Sequence, residues 1–130
     1  MSAIRRVFPH DTPTPRGPYS PAVRAGDFIF VSGQGPIDPV TDTLSLGDIK
    51  HETHLVLSNI KRILKACDAT MDDVVKVSVF LRDGADFAAM NEVYKEFFGE
   101  GRPARTTVAC RFASPEMKVE IDAIAYKPAP

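Results

Sequence analysis

The run Val74-Val75-Lys76-Val77-Ser78-Val79-Phe80-Leu81 limits how this chain can fold more than any other segment. It is dense in β-branched residues, which suit a pleated, half-buried surface and are stiff in a helix. A strand is therefore predicted here. Its apolar groups divide between the two sides, with Val75, Val77 and Val79 on one and Val74 and Phe80 on the other. Such a strand needs cover on both faces.

The remaining pattern offers too little cover from within one chain. Helix one is predicted from Gly47-Asp48, with Asp48 as N-cap, because Ile49, Val56, Ile60, Ile63, Leu64 and Cys67 follow helical spacing. It ends near Cys67-Asp68 without the usual glycine. Helix two is opened by Asp83 or Asp86, carries Phe87, Met90, Tyr94, Phe97 and Phe98 at spacings of three and four, and stops at Gly99 and Gly101. Strands are predicted at Ile4 to Val7, Val23 to Ala25, Phe28 to Gln34, Arg105 to Phe112 and Lys118 to Tyr126. Gly26-Asp27 makes a hairpin turn, Asp38 to Asp42 a second turn, and Ser114-Pro115 a third.

This order predicts a single α+β domain over residues 1–130, a mixed sheet of about six strands with two helices. Right-handed crossovers place both helices on one face. The opposite, partly apolar face then stays bare in a monomer. Surfaces of that kind find partners, so a symmetric homo-oligomer is expected, with ligand sites in the clefts between copies.

Composition excludes several functions. The 16 Lys and Arg residues nearly balance 17 Asp and Glu, giving a net charge of -1 and no basic stripe for nucleic acid. Nothing approaches a membrane span or an export signal, so a cytoplasmic protein is expected. Cys67 and Cys110 lack metal-site spacing and fall in apolar segments, which predicts buried, reduced thiols. His51-Glu52-Thr53-His54 is one residue short of H-E-x-x-H, so surface histidines are expected there and no metal. Gly33-Gln34-Gly35-Pro36 is not a dinucleotide loop, since Pro36 opens no helix. It suits a strand end where a ligand or another backbone comes close.

Prolines at 9, 13, 15, 18 and 21 rule out a helix there. Thr12 to Pro21 is either a solvated polyproline-like tail or a stiff loop presenting Tyr19. Two charges stand out within predicted strands: Arg105, after Arg102-Pro103-Ala104, and Glu120, inside Lys118-Val119-Glu120-Ile121. Each sits on a wet face, pairs with the other, or binds something, because an unpaired buried ion costs several kcal/mol. A guanidinium fork suits a planar anion. A half-desolvated carboxylate with a raised pKa suits orienting water or moving a proton.

Gly17-Pro18-Tyr19-Ser20-Pro21-Ala22, Val31-Ser32-Gly33-Gln34, Asn59-Ile60, Asp73-Val74-Val75-Lys76, Met90-Asn91-Glu92-Val93-Tyr94, Pro103-Ala104-Arg105-Thr106 and Val119-Glu120-Ile121 occur together in one order. In this combination the chain, from about Gly17 to Tyr126, resembles the RidA/YjgF family of reactive-intermediate deaminases, also labelled L-PSP endoribonucleases. The resemblance implies a chorismate mutase-like fold and a homotrimer with a central sheet barrel. It implies cofactor-independent hydrolysis of 2-imino acids, tautomers of enamines such as 2-aminoacrylate, to 2-keto acids and ammonia. Arg105 would hold the substrate carboxylate and Glu120 the water or its proton. Tyr19, Ser32, Gly33 and Asn91 would line the pocket, and the main chain at Thr107 would add a contact.

Some positions depart from the family pattern. Thr107 stands where many members have cysteine, His51 and its neighbours replace glutamines, Asp68 replaces a glycine, and Asp122 a glutamate. Phe112-Ala113-Ser114-Pro115 replaces a leucine-proline turn. Two other functions fit such a chain: a trimer that binds small carboxylates with little turnover, and a ribonuclease that inhibits translation.

Overall fold

The computed structural model describes residues 3–129. Its strands are β1 (Ile4–Val7), β2 (Ala22–Ala25), β3 (Phe28–Gln34), β4 (Ile37–Asp38), β5 (Thr43–Leu44), β6 (Val74–Leu81), β7 (Ala104–Ala109) and β8 (Val119–Tyr126), with helices α1 (Ile49–Ala66) and α2 (Phe87–Phe98). Six strands form one sheet in the order β1-β2-β3-β8-β6-β7, antiparallel except for the β6–β7 pair. The α+β class and the six-stranded mixed sheet are as expected. The small β4–β5 hairpin was not anticipated, and its turn spans the segment read as a simple turn.

Helix α1 forms where the spacing placed it. The Asp48 carboxylate accepts from the His51 N–H at 2.8 Å, satisfying one of the donors a helix start leaves open. At the other end Asp68 adopts φ 58°, the conformation glycine usually supplies. Asp68 N–H donates to the Lys65 carbonyl and Ala69 N–H to the Leu64 carbonyl, the paired bonds of a Schellman ending. Arg24 adds a donor to the Cys67 carbonyl at 3.1 Å. Before α2, Asp83 accepts from Ala85 N–H and caps a 3-10 turn, while Asp86 at the helix start makes no side-chain cap.

Both helices lie on one sheet face. Val56, Leu57, Ile60 and Ile63 of α1 and Met90, Tyr94 and Phe98 of α2 share the core with Ile29, Val31, Val77, Val79, Val119 and Ile121. The opposite face carries Phe28, Phe30, Val108 and Tyr126, each more than two-fifths exposed. Cross-strand register aligns Phe28 with Tyr126 and Phe30 with Ile124, so the aromatic side chains form a continuous apolar wall.

Three sequence expectations need correction. A register shift between Val74 and Lys76 reverses the alternation expected of β6: Val74 joins Val77 and Val79 in the core, and Val75 is 44% exposed. Strand β7 stops at Ala109, not Phe112, because its partner β6 ends at Leu81, whose carbonyl takes the Cys110 N–H. Cys67 is buried, and that burial raises its thiol pKa, but Cys110 is only half-buried, just past that strand end.

Candidate functional site

The predicted site residues divide into two groups on opposite faces of the sheet. Glu120 pairs with Phe80 on the bare face, whereas Arg105 pairs with Val77, which points into the core beneath the helices. The two cannot pair within one chain. Neither has an ion-pair partner among the described residues.

Glu120 stands beside an irregularity in β3. Val31 pairs with Ala123 and Gln34 with Ile121, so Ser32 and Gly33 form a bulge. A Cβ on Gly33 would come within 2.5 Å of Glu120 Oε2, so the missing side chain is what admits the carboxylate. Ser32 is committed to the neighbouring loop: its hydroxyl donates to the Ser20 carbonyl at 2.6 Å, and its N–H to the Pro21 carbonyl at 3.0 Å.

That loop is no solvated tail. Thr12 and Pro13 are buried. Thr14 N–H and Arg16 Nη1 both donate to Asp42 Oδ1 at 3.0 Å, and Arg16 Nη2 donates to the Asp42 carbonyl. The Thr14 bond, and then Arg16, hold the Asp42 carboxyl below its ordinary pKa. Arg16 N–H donates to the Tyr19 hydroxyl at 3.0 Å, fixing the ring while leaving it 44% exposed. Tyr19, Gly33, Gln34, Met117 and Glu120 line a cavity of about 380 Å³, and Ala113 and Ser114 of the altered turn border it. Glu120 accepts no hydrogen bond from a described residue. Burial, with the nearby Asp122 adding to it, raises its pKa.

Arg105 opens a second cavity of about 390 Å³ under α2. Its guanidinium lies 4.6 Å from the Tyr94 ring centre and 5.5 Å from that of Phe87, a cation held against aromatic faces. Asn91, Lys95 and Arg102 also line this cavity, and no carboxylate does. Thr107 follows two residues later on the same side of β7. Its buried hydroxyl and the Asn91 carbonyl oxygen lack hydrogen-bond partners among the described residues. The Arg105 guanidinium and the Thr107 hydroxyl can donate to an anion, whereas the Asn91 carbonyl oxygen calls for a donor.

The two histidines of the near-motif turn elsewhere. His51 meets the Ser45 hydroxyl and carbonyl, and His54 packs edge-on against Phe97. The sequence reading missed Tyr94, taken there as part of an apolar stripe, although it stands three residues from Asn91 on one helix face. It also missed Asp42, for which no local signal exists.

The Endoribonuclease L-PSP family matches residues 9–127 of this chain. The chain belongs to the L-PSP (RidA/YjgF) family. Among relatives of this L-PSP family chain, a RutC family protein of Pyrococcus horikoshii is 51% identical over 93% of this chain and 96% of its own length. A 3-aminoacrylate deaminase RutC of Acinetobacter baylyi is 40% identical, covering 92% and 95%. A 2-iminobutanoate/2-iminopropanoate deaminase of Dermatophagoides farinae is 40% identical, covering 95% and 97%. Among solved structures, a Thermotoga maritima protein superposes with a TM-score of 0.91 at 46% identity over 96% and 98% of the two chains. Escherichia coli TdcF with bound serine gives 0.88 at 36% identity over 95% and 98%. The L-PSP family fold expected from the sequence motifs is therefore the fold this chain adopts.

Proposed function

We propose that this protein hydrolyses small 2-imino acids, 2-iminopropanoate and 2-iminobutanoate, to the 2-keto acid and ammonia. The reaction takes place in clefts between the copies of a homotrimer. The observation that carries the reading is the pair of unpartnered charges on opposite faces: each half-site is incomplete alone, and a cleft between copies would bring Arg105 of one to Glu120 of the next. Turning the bare faces together would also bury Phe28, Phe30 and Tyr126. The names of the Acinetobacter and Dermatophagoides relatives support imine chemistry.

In this mechanism Arg105 binds the substrate carboxylate through its two-pronged fork. Tyr19 covers the substrate, with Asn91, Ser32 and Gly33 bordering it and the Thr107 main chain contributing a further contact. The protonated imine carbon is already electrophilic. Water adds to it while ionised Glu120 takes one of the water's protons, leaving a neutral amino alcohol with its carboxylate. Glu120 then returns that proton to the amine. As the carbon–nitrogen bond breaks, the hydroxyl becomes the keto oxygen and releases its own proton, and ammonia leaves. Water supplies the oxygen, no electrons change hands, and the reaction needs no group the chain lacks.

The test couples a threonine dehydratase, which generates the imine, to a measurement of keto-acid formation. Wild type is expected to accelerate release of the keto acid, and Arg105→Ala to abolish the acceleration. Binding of keto acid without acceleration would identify a carboxylate sensor instead. Cleavage of RNA by the pure protein, unaffected by Arg105→Ala, would overturn both readings.

A further inference from the structure

Four buried side-chain polar atoms lack a hydrogen-bond partner among the described residues, and three of them stand on α2 and β7: Asn91 Oδ1 and Tyr94 OH on residues of the Arg105 cavity, and Thr107 Oγ1 two residues along the strand from Arg105. The fourth, Thr53 Oγ1, lies on α1. Tyr94 is the most telling. It is 7% exposed, its ring packs against Phe98 at 4.6 Å, and it lines the Arg105 cavity. The guanidinium is close enough to oppose the rise that burial gives the phenol pKa. A guanidinium has only donors, however, so at most it donates to the phenol oxygen and offers no acceptor for the hydroxyl's own proton. At neutral pH the phenol keeps its proton, so it is a buried donor with nothing to donate to. A phenylalanine would give the same packing without the penalty of an unpaired hydroxyl.

We infer that the Tyr94 hydroxyl is a second donor to the anionic group held by Arg105, so that this chain grips a carboxylate with a guanidinium and a phenol together. The assignment rests on the carboxylate-binding role given to Arg105 above. One face of Tyr94 orients the guanidinium by cation–π contact, and its hydroxyl completes the anion's hydrogen bonds. Arg102 at the same cavity adds positive charge that favours an anion, while Lys95 there is paired with Glu92 at 3.2 Å.

Removing the hydroxyl therefore has opposite effects on the free and the liganded protein. In full-length Tyr94→Phe, the melting temperature without ligand is expected to rise by about 3 °C, as an unpaired polar group leaves the interior. Affinity for 2-oxobutanoate, used as the probe and measured by calorimetric titration, is expected to fall about 10- to 100-fold. In the coupled assay KM should rise by a similar factor with kcat little changed. Arg105→Ala serves as the reference. Loss of binding in Arg105→Ala with unchanged binding in Tyr94→Phe overturns the Tyr94 assignment alone. Unchanged binding in both variants, or no binding by wild type, removes the carboxylate reading of the site as well. A lower melting temperature with unchanged affinity assigns the hydroxyl to a structural bond with a neighbouring copy and also overturns the inference.

Discussion

Two carboxylates bracket the start of β8, and they live in opposite circumstances. Glu52, from α1, is completely buried, yet its oxygens accept from Lys118 N–H at 2.8 Å, Lys118 Nζ at 3.3 Å and Gly47 N–H at 3.3 Å. Glu120, two residues beyond Lys118, is only half-buried, and no described residue donates to it. On the role proposed for Glu120, depth does not distinguish a catalytic acid from a structural one; unmet hydrogen-bonding capacity does. The Glu52 cluster ties helix to sheet through a charge-assisted network and has nothing left to offer a ligand. Glu120 keeps its lone pairs open over a gap that only a glycine allows.

The two acids are therefore expected to respond oppositely to substitution. Glu120→Gln is expected to lower kcat about 10²- to 10⁴-fold, the usual range for a lost acid–base group, with unfolding free energy unchanged or slightly increased. Glu52→Ala strands Lys118 and the Gly47 N–H and is expected to cost about 3 kcal/mol of stability. Its remaining folded fraction should turn over normally. Denaturant titration and the coupled assay on both variants decide this. An inactive but fully stable Glu52→Ala would erase the distinction. A smaller effect sharpens it. Gly33→Ala pushes a methyl toward Glu120 Oε2, at the movable end of a side chain, so stability should change by less than about 1 kcal/mol. Activity should fall about tenfold or more because the carboxylate is displaced.

The sequence carried the parts of this contrast that depend on local pattern. Strand and helix order, the Asp48 cap and the bare sheet face follow from period and branching, which the chain displays residue by residue. Arg105 and Glu120 stood out because a charge inside an apolar strand needs a reason. What strict alternation could not supply was parity across irregularities. The shift at Val74–Lys76 turned Val75 outward, and the bulge at Ser32–Gly33 created the gap beside Glu120. Each depends on how two distant strands pair. Asp68 could replace glycine after α1 because a short polar side chain tolerates the left-handed region. Glu52 was hidden for another reason: its partner Lys118 lies 66 residues away, and a helix-face glutamate ordinarily reads as solvated.

The pH dependence of Glu120 separates burial from charge repulsion as the origin of its openness. Folding raises this pKa, so the folded chain holds the proton more tightly than the unfolded chain does. The favourable contribution of that proton is fully present below the unfolded value and is lost as pH rises through the folded one. Relative to Glu120→Gln, wild type should therefore lose stability over that window as pH increases. Turnover runs the other way: the base must be ionised, so kcat falls as pH drops through a limb lying above the ordinary glutamate range. Asp122 is the smaller of the two causes, and Asp122→Asn removes its repulsion while leaving the burial. The acid limb should then move down and remain above the ordinary value. A limb that fell all the way to the ordinary value would make Asp122, and not desolvation, the cause. The half-buried setting of Glu120 would then have no part in tuning it, and its contrast with Glu52 would reduce to which charges stand nearby.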